Sequence, residues 1–147
     1  MNEEAQREAK KLIAKFEGCQ LKAYKCPAGK WTIGYGHTKG VKAGDVWTQK
    51  QADEALTKEI EEYGKGVLQA CPSLAETPNR LAACISLAYN IGIGNFAGSS
   101  VAKYIRRGEY RAAADAFLMW VYAGKQKLKG LVSRRQMERT VFRRDEA

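Results

Sequence analysis

Apolar residues recur at Ala5, Ala9, Leu12, Ile13 and Phe16, three and four positions apart, so they fall on one helical stripe. The spacing predicts a helix over Glu3–Phe16, closed by Glu17-Gly18. From Tyr24 to His37 the pattern changes. Aromatic and β-branched residues (Tyr24, Trp31, Thr32, Ile33, Tyr35) are punctuated by Pro27, Gly29, Gly34 and Gly36, which predicts a small hairpin or a three-stranded sheet. "TQKQ" at Thr48–Gln51 offers a capping box ahead of Ala52, Leu56 and Ile60, and a helix should run from there to about Cys71. Gly64 and Gly66 lie inside it, each costing roughly 1 kcal/mol relative to alanine. Pro72 and Pro78 mark a loop. Helical spacing then returns at Leu81–Tyr89, Val101–Arg106, Tyr110–Ala123 and Ser133–Phe142, with glycine-rich joints at Gly92–Gly98, Gly108 and Gly124–Gly130.

These elements define an α+β protein that is mainly helical. A small β-containing lobe near positions 17–47 is joined by a long helix to a larger helical lobe at 72–147, to which the first helix adds. At 147 residues the chain fits a single domain over 1–147, enough to bury about two-thirds of its unfolded surface. There is no repeat and no low-complexity segment. A cleft between two lobes is a usual place for a site.

Charge changes this picture more than composition does. The chain carries 25 Lys+Arg against 16 Asp+Glu, a net charge of +9. That balance favours contact with a polyanion, whether nucleic acid, an anionic membrane or an anionic wall polymer, although a solvated basic surface would look the same. Arg134, Arg135, Arg139, Arg143 and Arg144 make the last helix very basic, and the expectation is a solvated face. No nucleic-acid-binding motif accompanies it. No apolar run approaches the roughly 18 residues of a membrane span, and the polar start "MNEEAQREAKK" has no secretory apolar region, so the chain is expected to stay in the cytosol until released.

Four cysteines, Cys19, Cys26, Cys71 and Cys84, include no C-x-x-C pair, and the one histidine, His37, completes no zinc-ligand spacing. No metal and no cofactor is implied. The thiols should stay reduced in the cytosol; outside the membrane a disulfide becomes possible. Neither "GYGHTKG" nor "YNIGIGNF" is a nucleotide-binding loop, because one lacks the Gly-Lys-Ser/Thr ending and the other follows no strand.

Candidate chemistry centres on Glu17, the sole carboxylate between Glu8 and Asp45 in a lysine-rich stretch. A carboxyl ending an apolar helix can be desolvated and kept protonated, as a general acid for a glycosidic oxygen must be. A second group must act across the sugar ring, and carboxylates usually fill that role. Here the next candidates are Cys26 and the Thr32 hydroxyl; nearby Lys22, Lys25 and Lys30 could lower the thiol's pKa. Spacing alone equally allows a solvated glutamate, a small buried cysteine and a strand threonine.

The stretch "EGCQLKAYKCPAGKWTIGYGHT" resembles the active-site segment of the phage-type lysozymes, glycoside hydrolase family 24. Their pattern is Glu, eight residues, Asp or Cys, five residues, Thr, met here by Glu17, Cys26 and Thr32. "SLAYNIGIGNFAGSS" and "AADAFLMWVYAGKQKLKGLVSRRQMER" resemble two later family segments. The resemblance implies a lysozyme-like fold, Glu17 as the acid, Cys26 in the place usually held by Asp, and Thr32 orienting the attacking water. It further implies a structural His37 paired with an acid on the connecting helix, and Tyr89 and Asn90 lining the sugar cleft. The implied function is a monomeric endolysin muramidase that cleaves the β-1,4 bond between N-acetylmuramic acid and N-acetylglucosamine in peptidoglycan. It would wait in the host cytoplasm for a holin-type pore and be drawn electrostatically to an anionic envelope. Two rivals remain at this level: a lytic transglycosylase on the same substrate, and a non-catalytic cationic protein that binds wall or membrane.

Overall fold

The computed structural model describes residues 1–146. Helix α1 spans Glu3–Glu17. It starts where Asn2 Oδ1 accepts the N–H groups of Glu4 (2.8 Å) and Ala5 (3.2 Å), a cap worth about 1 kcal/mol. The predicted stripe is the buried face: Ala5, Ala9, Leu12 and Ile13. It packs on α3 (Pro78–Ile91), whose residues Leu81–Ala88 are all buried. Each buried Leu or Ile contributes roughly 1.5–3 kcal/mol.

The β element is a two-stranded antiparallel hairpin, β1 (Gln20–Lys25) and β2 (Trp31–Gly34). The strand β1 begins four residues before the expected Tyr24, where Leu21 and Ala23 are partly buried between exposed Gln20, Lys22 and Tyr24, an alternation of only two apolar residues. Isolated bridges Lys22–Val46 and Ile33–His37 stand where a third strand was one expectation.

Helix α2 (Gln49–Ala70) opens with the predicted capping box: Thr48 Oγ1 accepts from Gln51 N at 3.1 Å and Gln51 Oε1 from Thr48 N at 2.8 Å. Gly66 is the notch into which Ile93 packs, since a Cβ there would meet Ile93 Cγ1 at 2.6 Å. The predicted loop after Pro72 is instead a 3-10 turn, Pro72–Glu76.

Helix α3 begins three residues before Leu81 because a distant side chain caps it. Asp145 Oδ2 accepts from Asn79 N (2.8 Å) and Arg80 N (3.0 Å). The joint at Gly92–Gly98 contains a short helix, α4 (Ile93–Ala97), and α5 (Ser100–Arg106) follows as expected. The helix expected over Tyr110–Ala123 is a correction. Helix α6 stops at Ala116, a 3-10 turn covers Phe117–Met119, and a small hairpin of β3 (Tyr122–Ala123) and β4 (Gln126–Lys127) leads into α7 (Lys129–Arg143). Phe117, buried against Phe142 of α7, fixes that bend. Around central α3 lie α1, α2 and α7, and the end of α1 reaches the turn after β2, where Glu17 lies beside Gly36.

Candidate active site

Glu17 is the last residue of α1, and its carboxylate is held from both sides. Arg134 Nη1 donates to Oε2 at 2.6 Å. Oε1 lies over Gly36, where a Cβ would stand 2.8 Å away and the backbone φ is +81°. Neither the space nor the left-handed backbone suits another residue. Tyr89 secures that turn by donating its hydroxyl to Tyr35 O at 2.6 Å.

The desolvated setting expected for Glu17 is therefore corrected to an ionic one. Its side chain is 22% exposed and faces a guanidinium. The expectation of a solvated basic last helix is likewise overturned at its centre. Arg134 is 3% exposed and Arg135 fully buried, on the face of α7 turned toward α3. Buried cations need counter-charge, and Glu138, one helical turn on and itself fully buried, supplies it.

Glu138 Oε2 accepts from Ser86 Oγ (2.5 Å) and Arg134 Nε (3.2 Å). Its Oε1 lies 2.8 Å from Arg135 Nε, off the line of a hydrogen bond, so that contact is one of charge. Burial pushes the Glu138 carboxyl up and the Arg135 guanidinium down, each opposed by the other's charge. Arg139, Arg143 and Arg144 stay outside, paired with Asp115, Glu146 and Glu8.

Cys26 is placed by local turn chemistry. Cys26 N–H donates to Lys30 O (2.9 Å) and Gly29 N–H to Cys26 O (2.8 Å), with Pro27 leading the turn and Gly29 at φ +82°. This is a three-residue hairpin loop closed by a left-handed glycine. The partly buried thiol is lowered from its ordinary pKa, first by the Lys30 backbone N–H, against burial, with help from Ala28 N–H and the Thr32 hydroxyl. The expected role of lysine charges is corrected: Lys30 acts through its amide, and Lys25 Nζ sits over the Trp31 ring at 5.6 Å. Thr32, 3% exposed, donates to Lys30 O at 3.1 Å and so stands directly beside the thiol.

His37 pairs through Nδ1 with Glu59 of α2 and through Nε2 with Lys39 O at 3.1 Å, its ring packed 5.3 Å from Trp47. Tyr89 is packed 5.3 Å from Tyr63, and burial, then the charges of Glu59 and Glu17, raise its phenol. Asn90, exposed on α3, accepts from Arg135 Nη2 at 2.8 Å. All four cysteines are free thiols, with Cys71 and Cys84 buried. Among the described residues no group of three or more His, Cys, Asp or Glu is placed to hold a metal.

Sequence reasoning missed Arg134, Glu138, Ser86 and Gly36. A signal for the first two was present: arginine and glutamate four apart in "RRQME", with no apolar residue at 134, 135 or 138, mark a paired charge row on a helix face.

An α+β fold with a helix-ending glutamate over a glycine-rich hairpin turn defines the lysozyme class. The phage lysozyme family model matches residues 14–138, and the chain belongs to that family. It is 41% identical over 135 residues to an endolysin of Acyrthosiphon pisum secondary endosymbiont phage 1, covering 89% of this chain and 92% of that protein. The active form of the P1 phage endolysin Lyz superposes with a TM-score of 0.87 at 28% identity, over 99% of this chain and 90% of that one. The muramidase domain of SpmX from Asticaccaulis excentricus gives 0.83 at 31% identity, over 92% and 95%. The protein is a lysozyme-type glycoside hydrolase with the lysozyme-like α+β fold.

Proposed function

We propose that the enzyme is an endolysin muramidase that hydrolyses the β-1,4 bond between N-acetylmuramic acid and N-acetylglucosamine in peptidoglycan, with Glu17 as the acid. The observation that carries this reading is the two-sided hold on Glu17. Arg134 engages Oε2 and leaves Oε1, over Gly36, as the oxygen that carries the proton to the glycosidic oxygen. The proton goes to the leaving N-acetylglucosamine hydroxyl, and water completes the muramic acid C1.

Cys26 stands where the family usually has Asp, and its lowered pKa makes thiolate available to the developing positive charge at C1. Thr32 orients water beside it. A thiolate that attacks C1 gives a covalent intermediate and retention, whereas one that orients water gives inversion. The anomer released first distinguishes these. His37 is structural through Glu59, Tyr89 braces the turn that carries Gly36, and the Asn90 amide lines the sugar cleft.

Residues 1–147 act as one catalytic domain and as a monomer. No described helix is long and apolar enough to cross a membrane. The enzyme waits in the host cytoplasm, passes a holin-type pore and acts on the wall at lysis, its net charge of +9 drawing it to the anionic envelope.

The test is a digest of purified peptidoglycan by wild type and Glu17→Gln under reducing conditions, with released muropeptides identified by mass. Reducing-end products from wild type alone are expected. Anhydro products would replace hydrolysis by transglycosylation, and equal release by both proteins would remove Glu17 from the chemistry.

A further inference from the structure

The buried carboxylate of Glu138 has no place in the chemistry above, yet three side-chain donors converge on one of its oxygens. Its Oε2 accepts from Ser86 Oγ (2.5 Å), Arg134 Nε (3.2 Å) and Arg135 Nη2 (3.5 Å). Nothing about it reaches solvent. All three nitrogens of the Arg134 guanidinium are committed as a result: Nε to Glu138, Nη2 to Ser86 O (3.2 Å), and Nη1 to Glu17 Oε2 (2.6 Å). A planar guanidinium held at three corners cannot rotate without breaking two buried contacts.

We propose that Glu138, seated on Ser86, is the positioning residue of the catalytic acid: it fixes the Arg134 guanidinium and, through it, the orientation and charge balance of Glu17. This rests on the reading of Glu17 as the acid. The arrangement is a chain, Ser86–Glu138–Arg134–Glu17, from the middle of α3 through α7 to the end of α1. With Arg135 it contains two carboxylates and two guanidiniums, so its formal charge is zero in a buried setting where an imbalance is costly.

Removing the Glu138 charge leaves Arg134 and Arg135 adjacent and buried, with Glu17, paired to Arg134, the remaining carboxylate of the group. Arg134 then gains freedom to reorient, which misplaces Glu17 Oε1 relative to the glycosidic oxygen.

The experiment compares wild type, Glu138→Gln, Ser86→Ala and Glu17→Gln on purified peptidoglycan, measuring kcat and KM across pH together with thermal unfolding. Glu138→Gln keeps the size of the side chain and removes its charge. Its kcat should fall on the order of 10- to 100-fold with KM little changed. Ser86→Ala, the milder change, should lower kcat by less, again with KM little changed, and serves as the deciding variant if Glu138→Gln does not fold. A melting temperature that drops while kcat per folded enzyme stays as in wild type would make Glu138 a structural residue and overturn the proposal. Retained hydrolysis in Glu17→Gln would instead overturn the reading of the acid, so the two failures are separable.

Discussion

The Glu17 carboxylate and the Cys26 thiol rest on two different kinds of support. Glu17 is held by Arg134, 117 residues away in the chain, and by the Gly36 turn that Tyr89 braces from α3. Cys26 is held by five consecutive residues, from its own amide to the Lys30 carbonyl. The first arrangement exists once α1, α3, α7 and the hairpin have packed together. The second needs little beyond the turn. Glu17 thus depends on a distant ion network, and the Cys26 thiol on neighbouring amides and a hydroxyl.

The sharpest way to test the acid side is Glu17→Gln, which keeps shape and loses the proton. Hydrolysis should drop on the order of 1,000-fold with unfolding unchanged, measured as muropeptide release beside a melting curve. Gly36→Ala comes next. The added carbon would lie 2.8 Å from Glu17 Oε1 on a left-handed backbone, so kcat should fall on the order of 100-fold and stability by roughly 1–2 kcal/mol. Wild-type activity in that variant would break the claim that Oε1 is held against the turn.

On the thiol side effects should be smaller and local. Cys26→Asp should stay within about tenfold of wild type if the position serves to orient water, whereas Cys26→Ser should be the poorer enzyme. The pH dependence has a defined sign. Because the folded thiol titrates below its ordinary value, iodoacetamide should label Cys26 with a midpoint below that of an ordinary cysteine. Thr32→Val removes one group that lowers it and should move the midpoint up while leaving the hairpin in place. An unmoved midpoint would leave the Lys30 and Ala28 amides as the groups responsible.

The smallest effect on activity is expected farthest from both. Asp145→Ala removes the cap on α3 and should cost about 1 kcal/mol in urea unfolding with kcat unchanged. A large loss of kcat would mean that α3 moves as a body under Glu138 and Tyr89.

Where local rules sufficed, the elements were legible. The stripe of α1 and the capping box of α2 came through as expected, because both depend on neighbours within one or two turns. The expectation failed where a distant residue decided. Helix α6 stops at Ala116 as Phe117 packs on Phe142, and α3 starts at Pro78 under the Asp145 cap. The same divide runs through the site. Glu17, Cys26 and Thr32 stood out through the resemblance to a family segment and not by spacing alone, while Arg134 and Glu138 looked like ordinary surface charge.

By itself the sequence determined the stripe of α1, the capping box of α2 and the turn that presents Cys26, since turn geometry and helix periodicity act over a few residues. Only the tertiary structure decided the setting of Glu17. Packing α7 on α3 takes Arg134, Arg135 and Glu138 out of water, and once there each charge must be answered by another brought from elsewhere in the chain.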